Sequence, residues 1–188
     1  MKILVKALAL MAVAGSAGLA FLYSGVYPIG ADVPHNPLTY WALETLRDNA
    51  IDSASRTLVL PEDLASPDQV LAGRPDYNEM GAGCHLRPGK AESDLSIGLY
   101  PQPPNLTVPH DRHTKRQNNE GTSELALRQF WVIKHGIKVS GMPAWGETHD
   151  DQRIWAMLAF LRQLPRLDPA QYQILTARGG DSEAHHAM

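Results

Sequence analysis

The chemistry available to this chain is concentrated at Cys84-His85, where its single cysteine stands directly before a histidine. Thiolate and imidazole are both ligands for transition metals, and a thiolate is also a nucleophile. A lone cysteine is by default a small, inert core residue, so the pair acquires meaning only from its surroundings. Those surroundings are specific. Tyr77 lies seven residues before Cys84, Ala82-Gly83 immediately precede it, and Pro88-Gly89 follow. Downstream come Pro103-Pro104-Asn105-Leu106 and then Ser140-Gly141-Met142-Pro143-Ala144-Trp145-Gly146. The second stretch carries a thioether between a glycine and a proline, neighbours that argue against a helix interior.

In this order the motifs resemble those of class I c-type cytochromes of the membrane-anchored bacterial kind. That family attaches haem through Cys-x-x-Cys-His, two thiolates bonding the vinyls and the histidine ligating iron. Here Gly81 stands at the place of the first cysteine, so the stretch reads Gly-x-x-Cys-His. The resemblance implies one haem, with Cys84 making at most one thioether and His85 as the proximal iron ligand. Three outcomes stay open: haem on one thioether, haem held without a covalent bond, and a domain that has lost its haem. It also implies that the Pro104 carbonyl accepts a hydrogen bond from the second ring nitrogen of His85, fixing the imidazole. Met142 is implied as the distal ligand, its soft sulfur favouring ferrous iron. Trp145 is implied beside the porphyrin, and Tyr77 among the residues that touch it.

Other histidines have simpler readings. His35 beside a proline turn and His135 at a helix end read as surface residues. His110 and His113 lie in a polar run, and His185-His186 in a Gly-rich tail; neither pair has a third ligand in sequence.

The elements that must position these residues read as helices. The resemblance implies an all-α, cytochrome c-like domain over residues 66–165. Its first helix starts at Pro67 with Ser66 as cap, is interrupted by Pro75, and turns Val70, Leu71, Tyr77 and Met80 inward. A second helix runs from Thr122 or Ser123 to His135, with Gly136 as its stop. The last runs from Asp150 to Leu164, where Pro165 closes it, and buries Ile154, Met157, Leu158 and Leu161. In the family the last helix crosses the first, which brings Tyr77 to the Trp155/Leu158 region. Residues 30–65 form a proline-stiffened connector and a helix over about 38–53. Trp41, Leu43, Leu46 and Ile51 give that helix an apolar face, and Glu44, Arg47 and Asp48 stay in water. Residues 166–188 trail the domain and end in a frayed tail.

Residues 1–29 decide the compartment. Lys2 and Lys6 precede twenty uncharged residues, Ala7 to Val26, enough for a helix of roughly 30 Å, the thickness of a bilayer core. Both lysines lie on the N-terminal side, so the domain is expected outside the cytoplasm, in the periplasm, on a single-pass inner-membrane anchor. A cleaved signal peptide is the competing reading. The formal net charge of −3 lacks the basic excess of a nucleic-acid binder, and no nucleic-acid motif is present. With both axial positions filled no coordination site is left for a substrate. The implied function is therefore electron transfer with partners in a respiratory or dehydrogenase chain, not catalysis. A haem-free interaction subunit of such a complex, and a ligand sensor or small peroxidase, are the alternatives.

Overall fold

The computed structural model describes residues 1–108 and 122–177. The described residues form helices and turns and no strand. They divide into two compact units, residues 1–34 and residues 35 onward. The first is the apolar helix α1 (Lys2–Tyr23), which buries none of its residues within the protein. By length and composition it can cross a membrane, a property that signal sequences share.

The second unit is the all-helical domain, and it opens with α2 (Pro37–Ser55). Asn36 caps it, its side chain accepting from the Thr39 amide, and Pro37 occupies the first helical position. Its orientation keeps Ile51 of the expected apolar face inward and turns the other three residues out. Trp41, Leu43 and Leu46 are exposed, at 61%, 43% and 68%, while Ile51 and Ser55 are the buried residues. The inward stripe is thus Glu44, Arg47, Asp48, Ile51, Asp52 and Ser55, spaced at helical intervals and mostly polar.

The expected first helix is split at Gly73, two residues before the expected interruption at Pro75, which sits in the first turn of the next piece. The segments are α3 (Pro67–Ala72), α4 (Arg74–Asp76), a π-helical turn over Tyr77–Gly81, and α5 (Ala82–His85). Ser66 caps α3 through the Gln69 amide. Of the four residues expected inward, Leu71 is instead 42% exposed. The break at Gly73 is where α3 meets α8 (Asp151–Leu161). A Cβ at Gly73 would lie 2.0 Å from the Ala156 carbonyl oxygen, so only glycine admits that crossing.

A short α6 (Asp94–Gly98) follows, with Ser93 and Ser96 in a reciprocal capping box. Next come α7 (Thr122–His135) and then α8, capped by Asp150 through the Arg153 amide. Helix α8 stops at Leu161 and not at Leu164, and the chain passes into a 3-10 turn over Leu164–Arg166. Pro165 has no N–H to give the carbonyl four residues back and its ring crowds that carbonyl, so the α-pattern ends one turn early. Asp168 and Gln171 form a second capping box that opens α9 (Pro169–Thr176).

The core lies where α8 passes between these elements, with Ile154 to Phe160 all buried. Trp155 stacks on Phe130 of α7, with ring centroids 3.9 Å apart. The turn that carries Tyr77 meets α8, as expected of the crossing, and the ring of Tyr77 packs beside Phe160 of that helix, with centroids 5.8 Å apart. Alongside this crossing, Arg153 donates to both carboxylate oxygens of the buried Asp76, at 2.6 and 3.1 Å. The histidine pairs at 110/113 and 185/186 lie outside the described residues.

Candidate functional site

Helix α5 carries Cys84 and His85, and the backbone turns sharply after them. Leu86 sits at φ 74°, ψ 169°, a conformation that costs a side-chain-bearing residue about 1–3 kcal/mol. It is held there from both sides. Its N–H donates to the Ala82 carbonyl, and its own carbonyl accepts a 2.6 Å hydrogen bond from the phenol of Tyr77. Tyr77 is 1% exposed, so the bond is shielded from water. The ring also lies against the backbone of residue 81: a Cβ added to Gly81 would stand 2.6 Å from Tyr77 Cδ2. Glycine at 81 and tyrosine at 77 are therefore one packing unit, tightened by the π-turn that joins them.

His85 is tied to the loop at Pro103–Leu106 by two hydrogen bonds. Its Nδ1 lies 2.9 Å from the Pro104 carbonyl oxygen, and its own carbonyl accepts from the Leu106 amide at 3.2 Å. A carbonyl only accepts, so Nδ1 carries the proton and Nε2 keeps its lone pair. Burial pushes the imidazole below its ordinary pKa, and the Pro104 carbonyl partly reverses that shift. The outcome is a neutral ring with one defined nitrogen available for a metal.

Met142 arrives from a loop closed on itself and on α7. Ser140 Oγ donates to the Ile137 carbonyl and accepts from the Met142 amide, while the Ile137 amide donates to the Met142 carbonyl. Gly136, at φ 64°, ends α7, and a Cβ there would meet the Met142 carbonyl oxygen at 2.7 Å. Trp145 begins a 3-10 turn three residues beyond Met142.

Tyr77, Cys84, His85, Pro104, Met142 and Trp145 all line one cavity of about 430 Å³. That lies within the roughly 300–1,000 Å³ range of cofactor pockets. Most of the rest of the wall is apolar, including Met80, Leu106, Val132, Ile133, Met157 and Leu161. Sequence reasoning placed several of these in the core without assigning them to the cavity. It missed a second group, Arg47, Asp48 and Ile51 of α2 with Arg128 and Gln129 of α7. The signal for α2 was its helical spacing, masked because charged side chains are ordinarily assigned to water. His35 and His135 are not in the cavity wall. His35 packs edge-on against Tyr100, and His135 against Trp131.

A thiol, a neutral imidazole with a free nitrogen and a thioether on one apolar cavity form a donor set suited to a porphyrin iron. Such a wall presents mostly apolar surface, with a minority of polar groups to orient one flat cofactor. Among the described residues, no cluster of three or more His, Cys, Asp or Glu side chains offers a competing metal site.

No curated protein and no solved structure matches the chain. Residues 68–161, half of its length, match the family described as cytochrome C oxidase, cbb3-type, subunit III. This segment runs from α3 through α8 and contains Cys84, His85, Pro104, Met142 and Trp145. With its all-helical architecture, a cavity suited to porphyrin and that match across half of its residues, the chain belongs to the cbb3-type cytochrome c family.

Proposed function

We propose that this protein is a membrane-anchored, periplasm-facing electron carrier with one c-type haem. His85 and Met142 are its axial ligands, and Cys84 makes at most one thioether. The observation that carries this reading is the His85–Pro104 hydrogen bond, which fixes the imidazole tautomer and leaves Nε2 free in the cavity that Met142 also lines. Haem, when bound, supplies a one-electron ferrous/ferric couple.

The remaining roles belong to the chain itself. Pro104 fixes the imidazole plane and raises its basicity as a ligand. The Ser140 and Gly136 contacts hold the Met142 loop in place. Trp145 closes part of the wall, its indole N–H a donor for a haem carboxylate. The apolar lining keeps water from the iron and lowers the reorganisation that accompanies a change of charge. Domains of this family carry electrons and are not themselves catalytic, and two protein ligands leave no position for a substrate. The family's description as an oxidase subunit favours a partner in a respiratory chain. Helix α1 serves as the membrane anchor, with Lys2 and Lys6 on the cytoplasmic side.

An absorption spectrum of the purified full-length protein, oxidised and dithionite-reduced, tests this. Sharp reduced bands with a sulfur-to-iron charge-transfer band are expected. A five-coordinate form that binds carbon monoxide would move the reading to a ligand sensor. Absence of any haem band after expression with a haem-maturation system would overturn it. Acid–acetone extraction then separates one thioether from none.

A further inference from the structure

Helix α2 lies wholly outside the segment that matches the cytochrome family, yet it forms part of the cavity wall. Its inward stripe brings Arg47, Asp48 and Ile51 to that wall, beside Arg128 and Gln129 of α7. Arg47 and Arg128 are the cationic side chains among the described lining residues. Both line the same cavity, and Arg128 is only 17% exposed. Each is held by an acid. Arg47 donates through Nε to Asp48 at 2.9 Å and through Nη2 to Glu44 at 3.4 Å, while Arg128 pairs with Asp52. Nη1 of Arg47 makes no hydrogen bond among the described residues.

A haem bears two carboxylates, and a buried carboxylate needs hydrogen-bond donors or a counter-charge. The rest of the described wall is largely apolar, and its cations come from α2 and α7. A guanidinium is a planar fork matched to a carboxylate, and an acid gripping its far side sets the direction of the fork. Glu44, Asp48 and Asp52 therefore aim the guanidiniums as well as neutralising them. Glu44, in the longest contact and 35% exposed, is the partner that an incoming carboxylate displaces most cheaply into water.

We infer that α2 is a working part of the haem site, with Arg47 on α2 and Arg128 on α7 receiving the haem carboxylates. Docking of α2 and retention of haem are then one coupled equilibrium. This offsets the tether that is absent at Gly81. It also explains why a helix with an exposed tryptophan and leucines turns its charged face inward.

The inference rests on the haem reading above, and the experiment separates the two. The full-length protein is purified haem-free in detergent and titrated with ferric haem and with ferric haem dimethyl ester, following the Soret band. Wild type is expected to bind the diacid more tightly than the ester. Arg47→Leu is expected to weaken diacid binding about ten-fold more than ester binding, since one charge-assisted hydrogen bond to the carboxylate is at stake. Arg47→Lys should recover part of the loss. Amide hydrogen exchange along residues 37–55 should slow when haem is added. The inference fails if wild type prefers the ester, if Arg47→Leu affects both ligands equally, or if exchange in α2 ignores haem. If wild type binds neither porphyrin, the haem reading itself has failed.

Discussion

Gly81→Ala gives a test in which two known effects predict opposite signs. Gly81 sits at φ −93°, ψ −39°, an ordinary right-handed helical conformation that any residue adopts. On propensity alone, alanine there stabilises by about 1 kcal/mol over glycine. Packing says otherwise. The new methyl would lie 2.6 Å from Cδ2 and 2.7 Å from Cε2 of Tyr77. That ring cannot swing away cheaply, because its hydroxyl is bonded to the Leu86 carbonyl and the ring packs, tilted, beside Phe160. Overpacking a fixed core site costs about 1–3 kcal/mol, and with the ring pinned the upper half of that range applies. The expected net effect is a loss of about 1–2 kcal/mol.

The assay is chemical denaturation in detergent, run on haem-free and haem-loaded protein, because bound ligand adds its own stabilisation. In a Tyr77→Leu background the penalty should shrink, since the colliding ring atoms are gone. A stabilised Gly81→Ala variant, or a penalty indifferent to residue 77, would refute the reasoning. The same collision attends Gly81→Cys. Any gain in covalent haem from restoring that thiol is therefore expected together with a loss of stability.

Three further outcomes follow from particular contacts. Met142→Leu keeps the size of the side chain but removes the sulfur, so the charge-transfer band should vanish and the potential fall, read by redox titration; an unchanged spectrum would remove Met142 from the ligand set. Arg153→Met leaves the buried Asp76 carboxylate without its partner and should cost about 1–3 kcal/mol, measured as a shift in denaturant midpoint. In alkali, burial raises the phenols of both Tyr77 and Tyr172 above the ordinary value near 10, so the unfolded chain loses those protons first. Stability should accordingly decline as the pH rises above about 10, and Tyr77→Phe should flatten that decline, with midpoints at pH 9 and 11 as the readout.

Much of the site was legible from residue order because its parts are local. A capped helix start at Ser66-Pro67, a Gly136 stop, and a methionine between Gly141 and Pro143 are decided by backbone conformation within a few residues. Cys84 and His85 are adjacent in the chain, so any fold delivers them together. That Met142 and Pro104 join them in one cavity was inferred from resemblance, since nothing local relates positions 19 and 57 residues beyond His85.

What the sequence determined, then, was an apolar N-terminal helix, an all-helical domain, and a thiol, imidazole and thioether in a recognisable order. Three things were decided only by the tertiary structure. Tyr77 packs on Gly81 because a π-turn, invisible to periodicity, draws the ring over the glycine backbone. Gly73 had to be glycine because α8 crosses there at backbone contact. Helix α2 turns its charged stripe inward because α7 offers Arg128 to Asp52 and a cavity to Arg47. Amphipathic patterns assume that the partner surface is apolar, and a helix facing a polar partner obeys the same spacing with its faces exchanged.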